Sequence, residues 1–278
     1  MLFIVNPISG NGNKKRIVSN LEKLGYNIAY TQFAGHAEIL AKEASEKRII
    51  AVGGDGTVNE VAKGIIGSDK ILGIIPCGSG DGLALHLGLS RNFQTAIKTI
   101  INGKISPLDG AIINGKLFLS VCGVGFDAMV SERFAKSGKR GMFNYVKQGL
   151  KLWKNFKAEN YKICIDGNEW KQDATLITIG NSNQWGNRAK ITPHAKSCDG
   201  LLDITIVGSL KTLNIPLLAG LLMIGHINKS KKVHCYRGKR VTIFRSQNGP
   251  VHADGEWFES EKILSIEIIP SAFKVIVP

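Results

Sequence analysis

Ile49-Ile50-Ala51-Val52-Gly53-Gly54-Asp55-Gly56-Thr57-Val58-Asn59-Glu60-Val61 is the stretch on which the reading of this chain turns. An apolar run collapses into three glycines around one aspartate, and the pattern restarts with helical spacing. That is strand, tight loop, helix. Apolar at every position, the run suits a strand buried on both faces. The loop feeds a helix N-terminus, whose unpaired N–H groups and positive dipole end hold anions, so a phosphate is the expected ligand, with Thr57 adding a hydroxyl. The spacing is neither GxGxxG nor GxxxxGKS/T, and an ordinary glycine-rich βα turn would account for the glycines equally well. It would not account for Asp55. A carboxylate among phosphate-binding amides is unfavourable unless a metal or a proton transfer needs it.

Working outward, residues 2–5 form a short apolar strand that runs directly into Asn6-Pro7-Ile8-Ser9-Gly10-Asn11-Gly12, a second polar, glycine-bearing turn. The N-terminal run is too short for a signal-peptide core and has no basic leader, so it reads as the first strand. A helix is expected over 15–24, with Ile17, Leu21 and Leu24 on one face, then a strand over 28–32, a helix over 37–46 and another over 58–66. The strand at 71–75 ends in Pro76-Cys77-Gly78-Ser79-Gly80-Asp81-Gly82-Leu83-Ala84, a third such turn. Strands alternating with helices imply a parallel sheet wound by right-handed crossovers, with ligands at the carboxyl ends of the strands. All three turns lie there.

From Asp109 the texture changes to alternating segments at 110–113, 116–121, 161–165, 174–179, 202–207, 240–245 and 263–269, separated by turns such as Asn114-Gly115. This predicts a largely antiparallel second domain. The last strand, 273–277, fits either domain. Two stretches are helical instead. Residues 142–157 place Lys147, Lys151 and Lys154 on one stripe beside Val146, Leu150 and Trp153, and a helix packed on its own sheet with lysines in water is the ordinary outcome of such a pattern. Residues 213–227 are apolar but shorter than the roughly 20 residues that span a bilayer, so a buried or interfacial helix is expected, with Pro216 in its first turn.

The formal net charge is +14, and no acidic residue occurs from 204 to 253. A basic surface suits nucleic acid, an anionic membrane or a phosphorylated substrate. Nucleic acid is disfavoured, because the basic stretches lack interleaved aromatic residues apart from Trp153 and Phe156. Five scattered cysteines with no CxxC pair argue against a disulfide framework or a zinc site and point to a reducing cytoplasm. The six histidines show no metal-ligand spacing.

Taken together, the chain resembles the lipid kinase family that contains bacterial diacylglycerol kinases and sphingosine kinases. The resemblance is carried by Asn6-Pro7-Ile8-Ser9-Gly10, Gly53 to Val61, Pro76-x-Gly78-Ser79-Gly80, Gly125-Phe126-Asp127-Ala128, Asp199-Gly200-Leu201-Leu202-Asp203 and Asp254-Gly255-Glu256, in register over essentially the whole length. It implies an α/β architecture: an N-terminal nucleotide-binding α/β domain over 1–109, completed by 271–278, with a GGDGT loop like that of NAD kinase and diacylglycerol kinase. A C-terminal β-sandwich domain over 110–270 would take the lipid, with ATP in the cleft between the domains.

By position, the resemblance implies that Asn6, Ser9, Gly10, Thr31, Gly54, Asp55, Gly56, Thr57, Asn59, Glu60 and Ser79 contact ATP. Asp55, Asp81 and Asp109 would organise catalytic Mg2+, and Lys196, Asp199 and Leu201 a second, structural metal. The general base is either Glu256, as proposed for the bacterial diacylglycerol kinases, or Asp55, as the sphingosine kinases suggest. Asp81 replaces the usual arrangement of its turn and could instead face the acceptor. Asp127 falls where sphingosine kinases approach the lipid head group, and a cationic amine there would favour a carboxylate. The expected enzyme is a cytoplasmic, peripherally membrane-associated lipid kinase using ATP and Mg2+ on diacylglycerol or a sphingoid base, held to anionic lipid by a basic face; a homodimer is left open. Alternatives are an NAD kinase, which the 76–84 and 199–203 motifs fit less well, and a non-catalytic nucleotide or acidic-lipid binder, against which Asp55, Asp109 and Glu256 argue.

Overall fold

The fold is described from a computed structural model covering residues 1–8, 14–138 and 142–278. The chain divides into two compact units, Met1–Asp109 with Pro270–Pro278, and Gly110–Ile269.

In the first unit β1 (Leu2–Val5), α1 (Lys14–Lys23), β2 (Asn27–Tyr30), α2 (His36–Glu43), β3 (Arg48–Gly53), α3 (Asp55–Ile65), β4 (Ile71–Pro76), α4 (Gly82–His86) and α5 (Phe93–Asn102) follow one another. β5 (Lys104–Ile113) then carries the chain into the second unit. There the order is β6 (Lys116–Phe118), β7 (Val121–Gly125), α6 (Phe126–Lys136), α7 (Met142–Trp153), β8 (Glu159–Ile165), β9 (Asn168–Ala174), β10 (Leu176–Gly180), β11 (Leu202–Val207), α8 (Ile215–Met223), β12 (Val233–Gly238), β13 (Arg240–Phe244), β14 (Gly249–Ala253), β15 (Glu256–Ser260) and β16 (Ile263–Val277).

The first unit's strands run parallel in the order β2, β1, β3, β4, and Lys274 and Val275 of β16 add a parallel edge beside Ile71 and Leu72. Ile49 to Val52 are fully buried, which is why the run needs no polar face. Phe3, Val5, Ile50, Val52 and Ile75 pack against Ile17 and Leu21 of α1 and Ile97 and Ile100 of α5.

Among the described residues, the strands of the second unit pair antiparallel. One sheet runs β12, β11, β10, β7, β14, β15; the other joins β9, β8, β13 and the first part of β16. Residues at alternate positions, among them Cys122, Val124, Ile177, Ile179, Ile204 and Ile206 on one sheet and Tyr161, Ile163, Val241, Ile243, Leu264 and Ile266 on the other, share one core. Period-2 alternation therefore places the intervening residues of β7, β10, β11 and β14 on the opposite face of their sheet.

Some elements differ from the sequence expectation. α3 begins at Asp55, so the aspartate belongs to the first helical turn and the loop is shorter than expected. The segments 263–269 and 273–277 form one strand, because Ser271 takes a positive φ of 50° and its N–H donates to Asp109 Oδ1 at 2.7 Å, so the bend does not end the strand. α6 gave no apolar periodicity: its buried face includes Asp127 and Ser131 as well as Ala128 and Val130. The β14–β15 hairpin turns on Asp254 and Gly255, both at positive φ, as a two-residue Asp-Gly turn requires. Pro250 and His252 had hidden its alternation.

Candidate active site

Within the first unit the three glycine-bearing turns meet. Asn6 Nδ2 donates to Thr57 Oγ1 at 3.1 Å, and Asn6 Oδ1 accepts the Ile8 N–H at 3.0 Å, which ties the turn after β1 to the start of α3. The turn after β3 touches the turn after β4 backbone to backbone. A Cβ on Gly54 would lie 3.1 Å from Gly78 Cα, and one on Gly78 would lie 2.6 Å from Gly54 Cα. No side chain fits between them. Asp55 sits against the same turn, its Oδ2 3.0 Å from where a Gly80 Cβ would be. The result is a backbone-lined surface at the N-terminus of α3, where the first helical turn leaves N–H groups without partners inside the helix and supplies one carboxylate, Asp55.

The other expected contacts divide. Thr57 and Asn59 are buried in the first turns of α3, Thr31 is buried after β2, and Ser79 is exposed on the third turn. Ser9 and Gly10 lie outside the described residues. Glu60 Oε2 accepts the Ala37 N–H at 3.1 Å and so caps α2. That local duty is a simpler account of its position than a nucleotide contact.

Asp81, expected at the metal or the acceptor, has both oxygens engaged in its own turn. Oδ1 accepts the Gly78 N–H at 2.8 Å and Oδ2 pairs with Arg91 Nε at 2.8 Å, while Arg91 Nη2 also donates to the Ser79 and Gly80 carbonyls. Asp81 is 2% exposed, in the left-handed region at φ 49°. We therefore assign it to holding the third turn. Burial pushes its carboxyl above the ordinary range, and Arg91 and the Gly78 N–H pull it back. Arg91→Ala removes the stronger counterweight, so Asp81 should titrate higher still. A raised folded-state pKa means that the fold keeps the proton better than the unfolded chain does. The ionic part of the cost of Arg91→Ala is thus absent below about pH 4 and develops as pH rises through the folded-state pKa, while the loss of the bonds to the Ser79 and Gly80 carbonyls is the same at every pH. Near neutrality it should reach about 1–2 kcal/mol, less than a wholly buried pair because the Arg91 side chain is 43% exposed. Urea midpoints at the two pH values measure it; an equal loss at both would rule out the ionic origin.

Asp109, 1% exposed, anchors the bend of β16 through Ser271. Among the described residues no group of three or more His, Cys, Asp or Glu forms a protein cage for a metal. The arrangement fits magnesium all the same, since that ion commonly takes one or two carboxylates and completes its shell with water and substrate phosphates. Asp55, in the first turn of α3, is the carboxylate at this surface.

In the second unit, Asp127 opens α6 and is 4% exposed. Its Oδ1 accepts the Ala128 N–H at 2.9 Å, and its Oδ2 meets Thr178 Oγ1 at 3.0 Å and His252 Nε2 at 3.1 Å. Gly123 leaves the space: a Cβ there would lie 2.2 Å from Asp127 Oδ2 and 2.7 Å from His252 Nε2. Asp127 was expected to meet a lipid head group, and its oxygens instead join α6 to β10 and β14. Sequence reasoning missed His252 and Thr178. The signal available was His252 standing two positions before the Asp254-Gly255-Glu256 turn.

Asp254 accepts the N–H groups of Leu119, Ser120 and Val121 at 2.9, 2.8 and 3.1 Å, which fixes the hairpin at whose tip the exposed Glu256 begins β15. The expected second metal position is arranged around a protein cation. Arg237 Nη2 pairs with Asp199 Oδ2, Arg237 Nε with Asp203 Oδ2 at 3.1 Å, and Asp199 Oδ1 accepts the Leu201 N–H at 3.2 Å. Both oxygens of Asp199 thus have a protein partner, one of them the Arg237 guanidinium. Lys196 is exposed on the same loop, and no metal is assigned to Lys196, Asp199 and Leu201.

An apolar cavity of about 300 Å³ opens beneath α7 and α8, lined among others by Phe126, Val130, Trp153, Leu176, Leu218 and Leu222. No charged side chain lines it among the described residues. The Tyr145 hydroxyl at its wall shares a hydrogen with Ser131 Oγ at 3.4 Å, and burial pushes its pKa up to about 12, so it stays neutral.

Residues 1–113 match the diacylglycerol kinase catalytic domain and residues 120–277 the YegS C-terminal NAD kinase beta sandwich-like domain. A diacylglycerol kinase of Staphylococcus epidermidis is 31% identical over 268 residues, covering 92% of this chain and 85% of that protein. The chain belongs to the diacylglycerol kinase family. A Bacillus subtilis diacylglycerol kinase is 29% identical over 270 residues, with 92% and 89% covered. Membership makes the chain a kinase-type phosphotransferase of the lipid kinase kind. Its fold is shared with a diacylglycerol kinase structure from Bacillus anthracis (TM-score 0.79, 24% identity, covering 100% of this chain and 96% of that one). An NAD kinase from Archaeoglobus fulgidus in complex with ATP shares the fold more distantly, at TM-score 0.56 and 13% identity with 99% and 92% covered. No helix among the described residues of this kinase is long and apolar enough to cross a membrane.

Proposed function

We propose that this chain transfers the γ-phosphate of ATP to the hydroxyl of a neutral glycerolipid, diacylglycerol, in a magnesium-dependent reaction. The observation that carries the choice of acceptor is Asp127, buried and hydrogen-bonded within its own unit. A sphingoid amine needs a free carboxylate, and the oxygens of this one already accept from Ala128, Thr178 and His252. The uncharged cavity supports the same reading, since it offers apolar contact for an acyl chain and no charge for an ammonium group.

The nucleotide's phosphates would lie on the backbone at the N-terminus of α3, beside the point where Gly54 and Gly78 touch, with Asn6, Thr57 and Ser79 around them. Asp55 would hold the magnesium, Asp109 through water; when bound, that ion neutralises charge on the β- and γ-phosphates. The acceptor oxygen bonds to the γ-phosphorus as the bridging bond to the β-phosphate breaks, and its proton passes to a carboxylate. Asp55 and Glu256 are the two candidates.

The test is labelled ATP with magnesium and a panel of diacylglycerol, monoacylglycerol, sphingosine, dihydrosphingosine and NAD. Diacylglycerol should be labelled at least about tenfold faster than either sphingoid base, the scale on which a missing polar partner discriminates. Preferred labelling of sphingosine or NAD, or nucleotide binding without transfer to any acceptor, overturns the proposal.

A further inference from the structure

The β14–β15 hairpin carries Glu256 at its tip and is held at its base, its middle and its turn. At the base, Arg245 donates to the Pro250, Gly249 and Ser260 carbonyls at 3.1, 2.6 and 2.7 Å. At the turn, Asp254 accepts the N–H groups of Leu119, Ser120 and Val121. In the middle, His252 Nε2–H donates to Asp127 Oδ2 at 3.1 Å, with both side chains at most 4% exposed. His252 stands opposite Trp257 in the ladder, so the two share a face, and Lys136 Nζ lies 4.9 Å from the centre of the Trp257 ring. α6 therefore rests on the hairpin at both of its ends, through Asp127 in its first turn and Lys136 in its last.

The middle contact uses one nitrogen of His252. Nδ1 is buried and, among the described residues, has no hydrogen-bond partner. An apolar side chain would fill the same space without leaving a polar atom unpaired. It would not supply direction. A buried hydrogen bond adds little net stability, but it fixes two groups in distance and angle. The strand beside β14 keeps the space for the pair, since a Cβ on Gly123 would lie 2.2 Å from Asp127 Oδ2 and 2.7 Å from His252 Nε2. From His252 the direction passes on over a short distance. The next residue, Ala253, pairs with Glu256 across the turn, and Glu256 itself is exposed.

We infer that Asp127 and His252 are positioning residues for Glu256. The bond between them sets where α6 holds the hairpin, and hence where the Glu256 carboxylate stands, and neither side chain touches the acceptor. The inference rests on the proposed transfer and on a part for Glu256 in it. A positioning pair and a lipid-binding pair differ in what their loss changes. A lost binding contact raises KM, whereas lost alignment lowers kcat, and a displacement of about 1 Å can cost about 10²-fold.

Transfer to dioctanoylglycerol in solution separates kcat from KM. His252→Leu, which removes the donor, should lower kcat about 10- to 100-fold and leave KM for the lipid within about twofold. His252→Gln, whose amide nitrogen reaches the place of Nε2, should keep kcat within about threefold of wild type, because Nδ1 contributes no bond. Thr178→Val removes another hydrogen bond of Asp127 but not the one to the hairpin, so its melting temperature should fall while kcat stays within about twofold. In the Glu256→Gln background, His252→Leu should cost less than about twofold more, since both act through one group. Hydrogen exchange at the amides of residues 251–258 should rise about tenfold in His252→Leu, a readout that needs no ATP. A raised KM with unchanged kcat, a Gln variant as slow as the Leu variant, a Thr178→Val as slow as either, effects of His252→Leu and Glu256→Gln that multiply, or unchanged exchange would overturn the inference. A full rate for Glu256→Gln would remove the group being positioned, and the inference with it. No transfer by the unmodified protein would sink the catalytic reading and the purpose assigned to the pair, and leave the exchange result standing.

Discussion

With Asp55 replaced by Asn, phosphoryl transfer is expected to fall by about 10²- to 10⁴-fold, the range of a lost proton acceptor or metal-orienting carboxylate. The fold should survive. Asn matches Asp in size, so it fits the space beside Gly80, and the loss of a negative charge in the first turn of α3 costs about 0.3–1 kcal/mol. Steady-state rates and a thermal melt on the same preparation check both halves. Glu256→Gln is the necessary comparison. Should Asp55 chiefly hold magnesium, raising the metal concentration restores part of the rate of Asp55→Asn and the limb of the pH–rate profile stays with Glu256. Should Asp55 take the proton, metal restores nothing and that limb moves. A near-full rate for Asp55→Asn removes this residue from the reaction.

The second large effect is expected at Gly78→Ala. The added methyl would stand 2.6 Å from Gly54 Cα and 2.7 Å from Asp81 Oδ1, and backbone cannot swing aside as the end of a long side chain can. The two turns must part, which lowers stability by about 1–3 kcal/mol and misplaces the amides on which the phosphates are proposed to rest. Gly54→Ala, whose methyl would be 3.1 Å from Gly78 Cα, should do the same more mildly. ATP affinity by calorimetry should therefore fall in the order wild type, Gly54→Ala, Gly78→Ala. The reverse order would show that contact between the turns does not set the phosphate surface.

The stretch 49–61 could be read from sequence because its physics is local. A strand covered on both faces has no polar positions, and glycines where backbones touch cannot be replaced by anything larger. The turns after β1, β3 and β4 could be identified for the same reason, and so could the change of period after Asp109. Asp81 and Asp127 were assigned outward roles on residue type and family position. What decides their roles is distant in sequence: Arg91 for the first, Thr178 and His252 for the second. No period or spacing announces a partner 51 or 125 positions away. α6 was missed for a related reason, since its buried face is partly polar. The 213–227 stretch was expected to be buried or interfacial, and only its surroundings, a cavity on one side and nothing of the described chain on the other, separate those outcomes.

The path of β16 has a consequence for how this kinase is made. Phe273, Val275 and Ile276 are buried in the first unit, and Lys274 and Val275 pair with β4, yet these residues are synthesised after the whole of residues 110–269. Until they emerge from the ribosome, β4 keeps an open parallel edge and the N-terminal core lacks its closing strand, whereas residues 110–269 are already available to pair with one another. Of the two units, the one that begins first is completed second, so the nascent chain cannot present a finished first unit before residues 270–278 emerge.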